Sequence, residues 1–132
     1  MRSGLNTDIA FANSLTAAAL TTDSSGIGVD LSNYNSAIFC VYTGTTTDGT
    51  WTPAAEESDT DVATAYTAVT ATDLDGSFAA FTASRTAGTV TEVGYKGTKR
   101  YVRIVVTSSG TITTGAVISG FIVKGDPRNK PS

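Results

Sequence analysis

Val93-Gly94-Tyr95-Lys96-Gly97-Thr98-Lys99-Arg100-Tyr101-Val102-Arg103-Ile104-Val105-Val106-Thr107 carries the clearest fold signal in the chain and its densest positive charge. Over residues 99–107 the side chains alternate, so Val102, Ile104 and Val106 fall on one face and Lys99, Tyr101, Arg103, Val105 and Thr107 on the other. One face is core and the other at least partly wet. The β-branched and aromatic content suits a pleated surface, and Gly97 permits the positive φ that a tight connection to residues 90–95 requires. The stretch therefore predicts an antiparallel hairpin. Lys96, Lys99, Arg100 and Arg103 crowd its turn and outer face, where they either meet a partner or keep a strand edge soluble.

Outward from this stretch, the charge is uneven. Residues 1–92 hold Arg2 and Arg85 against eleven acids, a net −9, while residues 93–132 hold seven basic residues against Asp126 alone, a net +6, giving −3 overall. Such polarity suits docking onto copies of the same chain or onto a patterned protein surface, and a bipolar self-assembler loosens as salt rises. Interleaving of distant strands would instead neutralise the charge locally. Nucleic acid is disfavoured as a partner, because the chain as a whole is acidic and its basic segment interleaves only Tyr95 and Tyr101.

The 132 residues, 40% hydrophobic with 13 Gly and abundant Thr and Ala, fit one all-β domain with a single core. Cys40 is the single cysteine, so no internal disulfide framework exists, and within Ala37-Ile38-Phe39-Cys40-Val41-Tyr42 it reads as a small packed hydrophobe. Residues 9–20, interrupted by Asn13, Ser14 and Thr16 and preceded only by Arg2 as a positive charge, make neither a signal peptide nor a membrane span, which implies synthesis in the cytoplasm.

Along the chain, residues 1–7 read as a flexible arm and residues 8–20 as a strand, with Ala17-Ala18-Ala19-Leu20 as a competing helical signal. Ile27, Val29 and Leu31 mark a short strand, and residues 36–42 a central one with both faces covered. Residues 50–57 form a strand that Pro53 confines to an edge or a bulge. A softer strand follows over 62–70, and Phe78 and Phe81 plug one end of the core. The last strand, 116–124, is apolar on both faces and should pair centrally, beside 99–107. Pro127 and Pro131 make residues 125–132 an extended basic tail carrying Arg128 and Lys130. Seven to nine strands with regular turn signals predict an antiparallel β-sandwich or jelly-roll-like barrel over 8–124.

Chemistry is sparse. Glu56, Glu57, Asp59, Asp61, Asp73 and Asp75 could supply oxygen ligands, but their spacing fits no calcium loop, and the same carboxylates would need a cleft with stacked aromatics to act on sugar, where Trp51 stands alone. Tyr34, Tyr42, Tyr66 and Phe11 could form a binding platform, although in alternating strands such residues more often pack in the core or on a sheet face. With no His, no phosphate loop and no Ser/His/Asp set, the chain is read as a non-enzyme without cofactor or metal.

The succession Gly28-Val29-Asp30-Leu31, Ala37-Ile38-Phe39-Cys40-Val41, Glu56-Glu57-Ser58-Asp59, the opening stretch through Arg103, and Val123-Lys124-Gly125 resembles small head-associated structural proteins of tailed bacteriophages, over about residues 26–130. The resemblance implies a β-rich decoration or cement protein in the virion, bound to the major capsid protein and to sister copies. Its candidate contacts are Lys96, Lys99, Arg100, Arg103, Arg128 and Lys130, set against an acidic capsid surface. A tail or connector subunit, or a displayed sandwich that binds host glycan through Trp51, is the alternative.

Overall fold

The computed structural model describes residues 8–127. Residues 1–7, and Arg128 and Lys130 of the expected tail, lie outside the described residues. Ten strands run in the order β1 (Ile9–Leu20), β2 (Ser24–Ser25), β3 (Val29–Asp30), β4 (Tyr34–Thr46), β5 (Thr50–Ser58), β6 (Thr67–Ala68), β7 (Leu74–Asp75), β8 (Thr89–Tyr95), β9 (Tyr101–Ser109) and β10 (Ala116–Pro127). They form two antiparallel sheets. The first has the order β1-β10-β4-β8-β7; the second has the order β2-β9-β5-β6, with β3 also pairing β9. This is the predicted all-β sandwich. The described strands exceed the expected seven to nine because β2 and β7 are two-residue pairings, too short to leave an alternation signal.

The sheets meet across a core in which Phe39, Val41, Ile118 and Ile122 of the first sheet face Trp51, Val102, Ile104 and Val106 of the second, all buried. Each large side chain so buried stabilises the fold by about 1.5–3 kcal/mol. Phe81 is buried and Phe78 packs against the same cluster, as expected for a plug. The Trp51 N–H and C=O both bond to Phe81. That pairing lies on the side of β5 away from β9, as does the Ala55 C=O, which accepts from the Val69 N–H. β5 is thus neither the edge nor the bulged strand expected of it, lying between β9 and β6 in unbroken register; Pro53 is tolerated because the N–H it lacks would point away from the ladder with β9.

The expected hairpin does not form. β8 belongs to the first sheet, paired with β4 and β7, and β9 to the second, paired with β5, β2 and β3. Alternation assigns faces but says nothing about which strand lies alongside. Five residues, 96–100, reach about 16 Å, enough to cross the ~10 Å between packed sheets. The crossing is tied at both ends, by the Lys96 N–H to the Asp73 C=O at 2.7 Å and the Leu31 N–H to the Arg100 C=O at 2.7 Å. In its middle, the Tyr95 hydroxyl donates to the buried Glu57 carboxylate at 2.7 Å and accepts from the Lys99 N–H at 3.2 Å. Gly97 is required here for space, since a Cβ would collide with the Tyr95 ring, and its φ is not positive.

Four further expectations are corrected. β10 is central, but between β1 and β4 and not beside β9. It also runs on through Gly125 to Pro127, opposite Ser36 and Tyr34, with Asp126 at φ 53, so the tail does not begin at 125. Pro127 closes the pairing as its terminal residue, where a missing donor costs least. The strand expected over 62–70 is a 3-10 turn, Ala63–Ala65, followed by the two-residue β6. The central strand β4 is covered on one face only, since Ile38 and Tyr42 are exposed.

The open side of the sandwich is stitched by one buried serine. Ser14, at a bulge in β1, donates its hydroxyl to the Ile27 C=O at 2.9 Å and accepts from the Ile104 N–H at 3.0 Å, joining the first sheet to the second. Ser14→Ala should cost about 1–3 kcal/mol in urea unfolding, because it leaves two backbone groups without partners. An unchanged midpoint would show that water replaces the hydroxyl.

Candidate functional site

The four described basic residues of the opening stretch are gathered on the second sheet and at the crossing, and three of them are spent within the chain. Lys99 Nζ lies 3.0 Å from Asp59, Arg100 makes a two-nitrogen pair with Asp30 at 2.9 and 3.0 Å, and Arg103 pairs with Glu56 through Nε at 2.8 Å. Arg103 also stacks 4.2 Å over the Tyr66 ring, whose hydroxyl donates to Asp61 at 2.8 Å. Each pair joins the basic segment to the acidic part of the chain, so folding interleaves the two and the polarity seen in the sequence is largely cancelled where it arises. Lys96 is exposed and, among the described residues, makes no ion pair.

The titration behaviour follows from these contacts. The Asp30 carboxyl is held down to about 2, chiefly by its hydrogen bond from Arg100. Burial, and then hydrogen bonds to Glu57 and Asp61, push the Tyr95 and Tyr66 phenols well above the tyrosine range, so both remain protonated donors. Burial, and then the charge of Glu92, push the Cys40 thiol up, which holds it in the unreactive form. Trp51 is fully buried with its indole N–H donated to the Asp48 C=O at 3.0 Å, so it offers no face to a sugar. An open cleft of about 430 Å³ lies beside the crossing, lined by Tyr34, Tyr95, Lys99 and Arg100. Its cations are the ion-paired ones, and Lys124 covers the Tyr34 ring at 4.9 Å. Among the described residues, no three His, Cys, Asp or Glu side chains gather to hold a cation.

The unusual surface is on the other sheet. The register places Ile9, Phe11 and Asn13 of β1, Val117, Phe121 and Val123 of β10, Ile38, Cys40 and Tyr42 of β4, and Val90 and Glu92 of β8 on one side, facing away from the core. Phe11 is 67% exposed, Val90 53%, Ile38 40%, Tyr42 39% and Val117 39%. The Phe11 and Phe121 rings pack at 6.1 Å across neighbouring strands. Glu92 is the one charged residue among those facing outward on these four strands, and Asp75 sits at the β7 edge. The corresponding side of the second sheet carries Thr52, Glu56, Arg103 and Thr107 and is partly covered by the segment that buries Tyr66.

No family model, no curated protein and no solved structure matches this chain. Large contiguous apolar patches are rare on soluble monomers and mark contact sites. The basic cluster marked by sequence lies on the charge-balanced side of the molecule; of the four aromatics considered as a platform, Phe11 and Tyr42 do lie on the apolar face, Tyr66 is buried and Tyr34 lies under Lys124, while Ile38, Val90 and Val117 were missed. A signal for this face existed. β4 and β10 read as apolar on both faces, and among the described residues no segment covers the outer face of the first sheet as the segment around Tyr66 covers that of the second.

The pairing of Asp30 with Arg100 leads to a pH prediction. The folded carboxyl titrates below its ordinary value of 3.8, so the stabilisation is fully present above about pH 4 and is lost as pH falls through about 2. Arg100→Ala should lower the melting temperature at neutral pH and converge with the parent chain near pH 2. A constant gap across that range would remove the carboxylate from the account.

Proposed function

We propose that this protein is a structural virion protein that binds and stabilises a tailed-bacteriophage capsid as a decoration or cement protein, acting without catalysis. The observation that carries this reading is the outward apolar face of the first sheet, on a rigid sandwich whose charged groups are mostly satisfied internally. Such a face gains free energy only when something covers it, at roughly 25 cal/mol per Å² of apolar area removed from water. A patch spanning four strands, about 20 Å across at the usual strand spacing, is near the lower limit for a specific pairwise interface. A lattice suits such modest contacts, because many copies bound to one shell sum their effects. The resemblance of residues 26–130 to phage head-associated proteins points to the same partner, the major capsid protein, and to the virion as its location.

The contact differs from the one that charge alone suggested. An acidic capsid surface facing Lys99, Arg100 and Arg103 would have to break three existing ion pairs, whereas an apolar shell surface facing Ile38, Tyr42 and Val90 displaces only water.

Tyr42 and Val90 lie directly opposite each other in the β4–β8 ladder. Purified heads lacking this protein should co-sediment with the parent chain, and its addition should raise their disruption temperature. The double variant Tyr42→Glu, Val90→Glu should weaken co-sedimentation by on the order of a hundredfold, since two buried apolar contacts of about 1–2 kcal/mol each are lost. Thr52→Glu with Thr107→Glu, on the opposite side, should leave it unchanged. Failure of the parent chain to co-sediment would reject the proposal.

A further inference from the structure

We propose that the open edge of β1 pairs with β1 of a second copy, antiparallel and across a two-fold axis, over the segment Ile9–Asn13. The sheet edges are treated unequally. β2, β3, β6 and β7 are each two residues long, and brevity is a recognised protection against edge-to-edge association. β1 has twelve residues, and Ile-Ala-Phe-Ala-Asn-Ser-Leu-Thr-Ala-Ala-Ala-Leu contains no charge and no proline. It therefore lacks the brevity, charge and proline that blunt an edge, and its bulges begin only beyond Asn13.

The exposed part can be located. Beyond Asn13 the register with β10 shifts, and the Ile27 N–H donates to the Ser14 C=O at 2.7 Å, which occupies the edge there. From Ile9 to Asn13 the strand runs in continuous register with β10 on one side. On its other side, no backbone hydrogen bond is made among the described residues. An extended row of donors and acceptors next to an exposed Phe11 is a template for one more strand.

The occupant is inferred from charge and symmetry. An uncharged edge carries no preference for an acidic or a basic partner, and it meets its own copy without like-charge repulsion. Antiparallel pairing of one edge with itself is isologous, so it closes at two copies. With the axis near Phe11, the two Phe11 side chains lie on the same side of the joined sheet and pack beside their Phe121 neighbours, which already sit 6.1 Å away. The two outward faces then become one continuous surface.

This pairing does not rest on the capsid reading and is tested on the purified full-length chain. Sedimentation velocity should give about twice the 13.5 kDa chain mass, in about 0.1 M and about 1 M NaCl alike, because the edge holds no charge to screen. Phe11→Lys, which sets two ammonium groups together at the axis, should halve the mass. In the parent chain, the amides of residues 9–13 should exchange with deuterium more slowly at concentrations where the dimer forms than at dilution, a readout that needs no variant. The Tyr42→Glu, Val90→Glu chain should remain dimeric even where it no longer binds heads, so the two readings fail separately. A parent chain that stays monomeric, a Phe11→Lys dimer, dissociation by salt, or concentration-independent exchange at 9–13 would each overturn the proposal.

Discussion

Every feature of this molecule depends on two twisted sheets burying one face each against the other. Phe39, Ile118 and Ile122 on one side and Trp51, Ile104 and Val106 on the other exclude water from a single layer of side chains. Sheet packing at about 10 Å sets how far any connecting segment must travel. The crossing at 96–100 is short because this distance is short. Its anchor, the Tyr95 hydroxyl on the buried Glu57 carboxylate, links a strand of the first sheet to a strand of the second. A buried carboxylate is costly unless it is hydrogen-bonded, so the position of Tyr95 and the route of the chain beyond it are set together.

The same layer leaves each sheet a second face, and the two are resolved in opposite ways. The second sheet covers its face with local chain and with ion pairs; Arg103 is held by Glu56 and stacked on Tyr66. The first sheet leaves apolar side chains in solvent across four strands. Exposed ion pairs contribute little to stability individually, but here they have a further consequence: they largely cancel the molecule's polarity and leave the apolar face, with Glu92 its one outward charge, as the main asymmetry. Association through that face would depend on apolar area and shape, with weak steering and little salt dependence.

The face and the β1 edge are adjacent, because Ile9 and Phe11 belong to both. In the proposed role on a capsid lattice this arrangement would be an advantage. Pairing along an edge orients two faces in one plane, and a pair presenting doubled area to a shell binds with an effective concentration that a single copy lacks. With only two-residue strands at the other edges, the proposed pairing would stop at two copies and would not extend into an open-ended sheet.

The all-β class, the inward set Val102, Ile104 and Val106 and the plug of Phe78 and Phe81 were legible in the sequence, because period-two alternation acts locally; the edge or bulge expected of β5 from Pro53 was not met, since β5 lies between β9 and β6 in unbroken register. Strand partnership was not. Residues 90–95 and 99–107 read as neighbours because they are close in sequence and separated by glycine, yet they lie in different sheets, since a five-residue link can cross the core as readily as it can turn back. The candidate surface was misread for a related reason. Lys99, Arg100 and Arg103 looked like a free basic patch while Asp30, Glu56 and Asp59 were distant in sequence, and only the tertiary fold placed each acid beside its base. Residues 36–42 and 116–124 showed by their double-sided apolar pattern that both faces seek cover. Only the two-layer architecture decided that one of those faces lies on the outside, where Ile38, Tyr42 and Val117 are exposed.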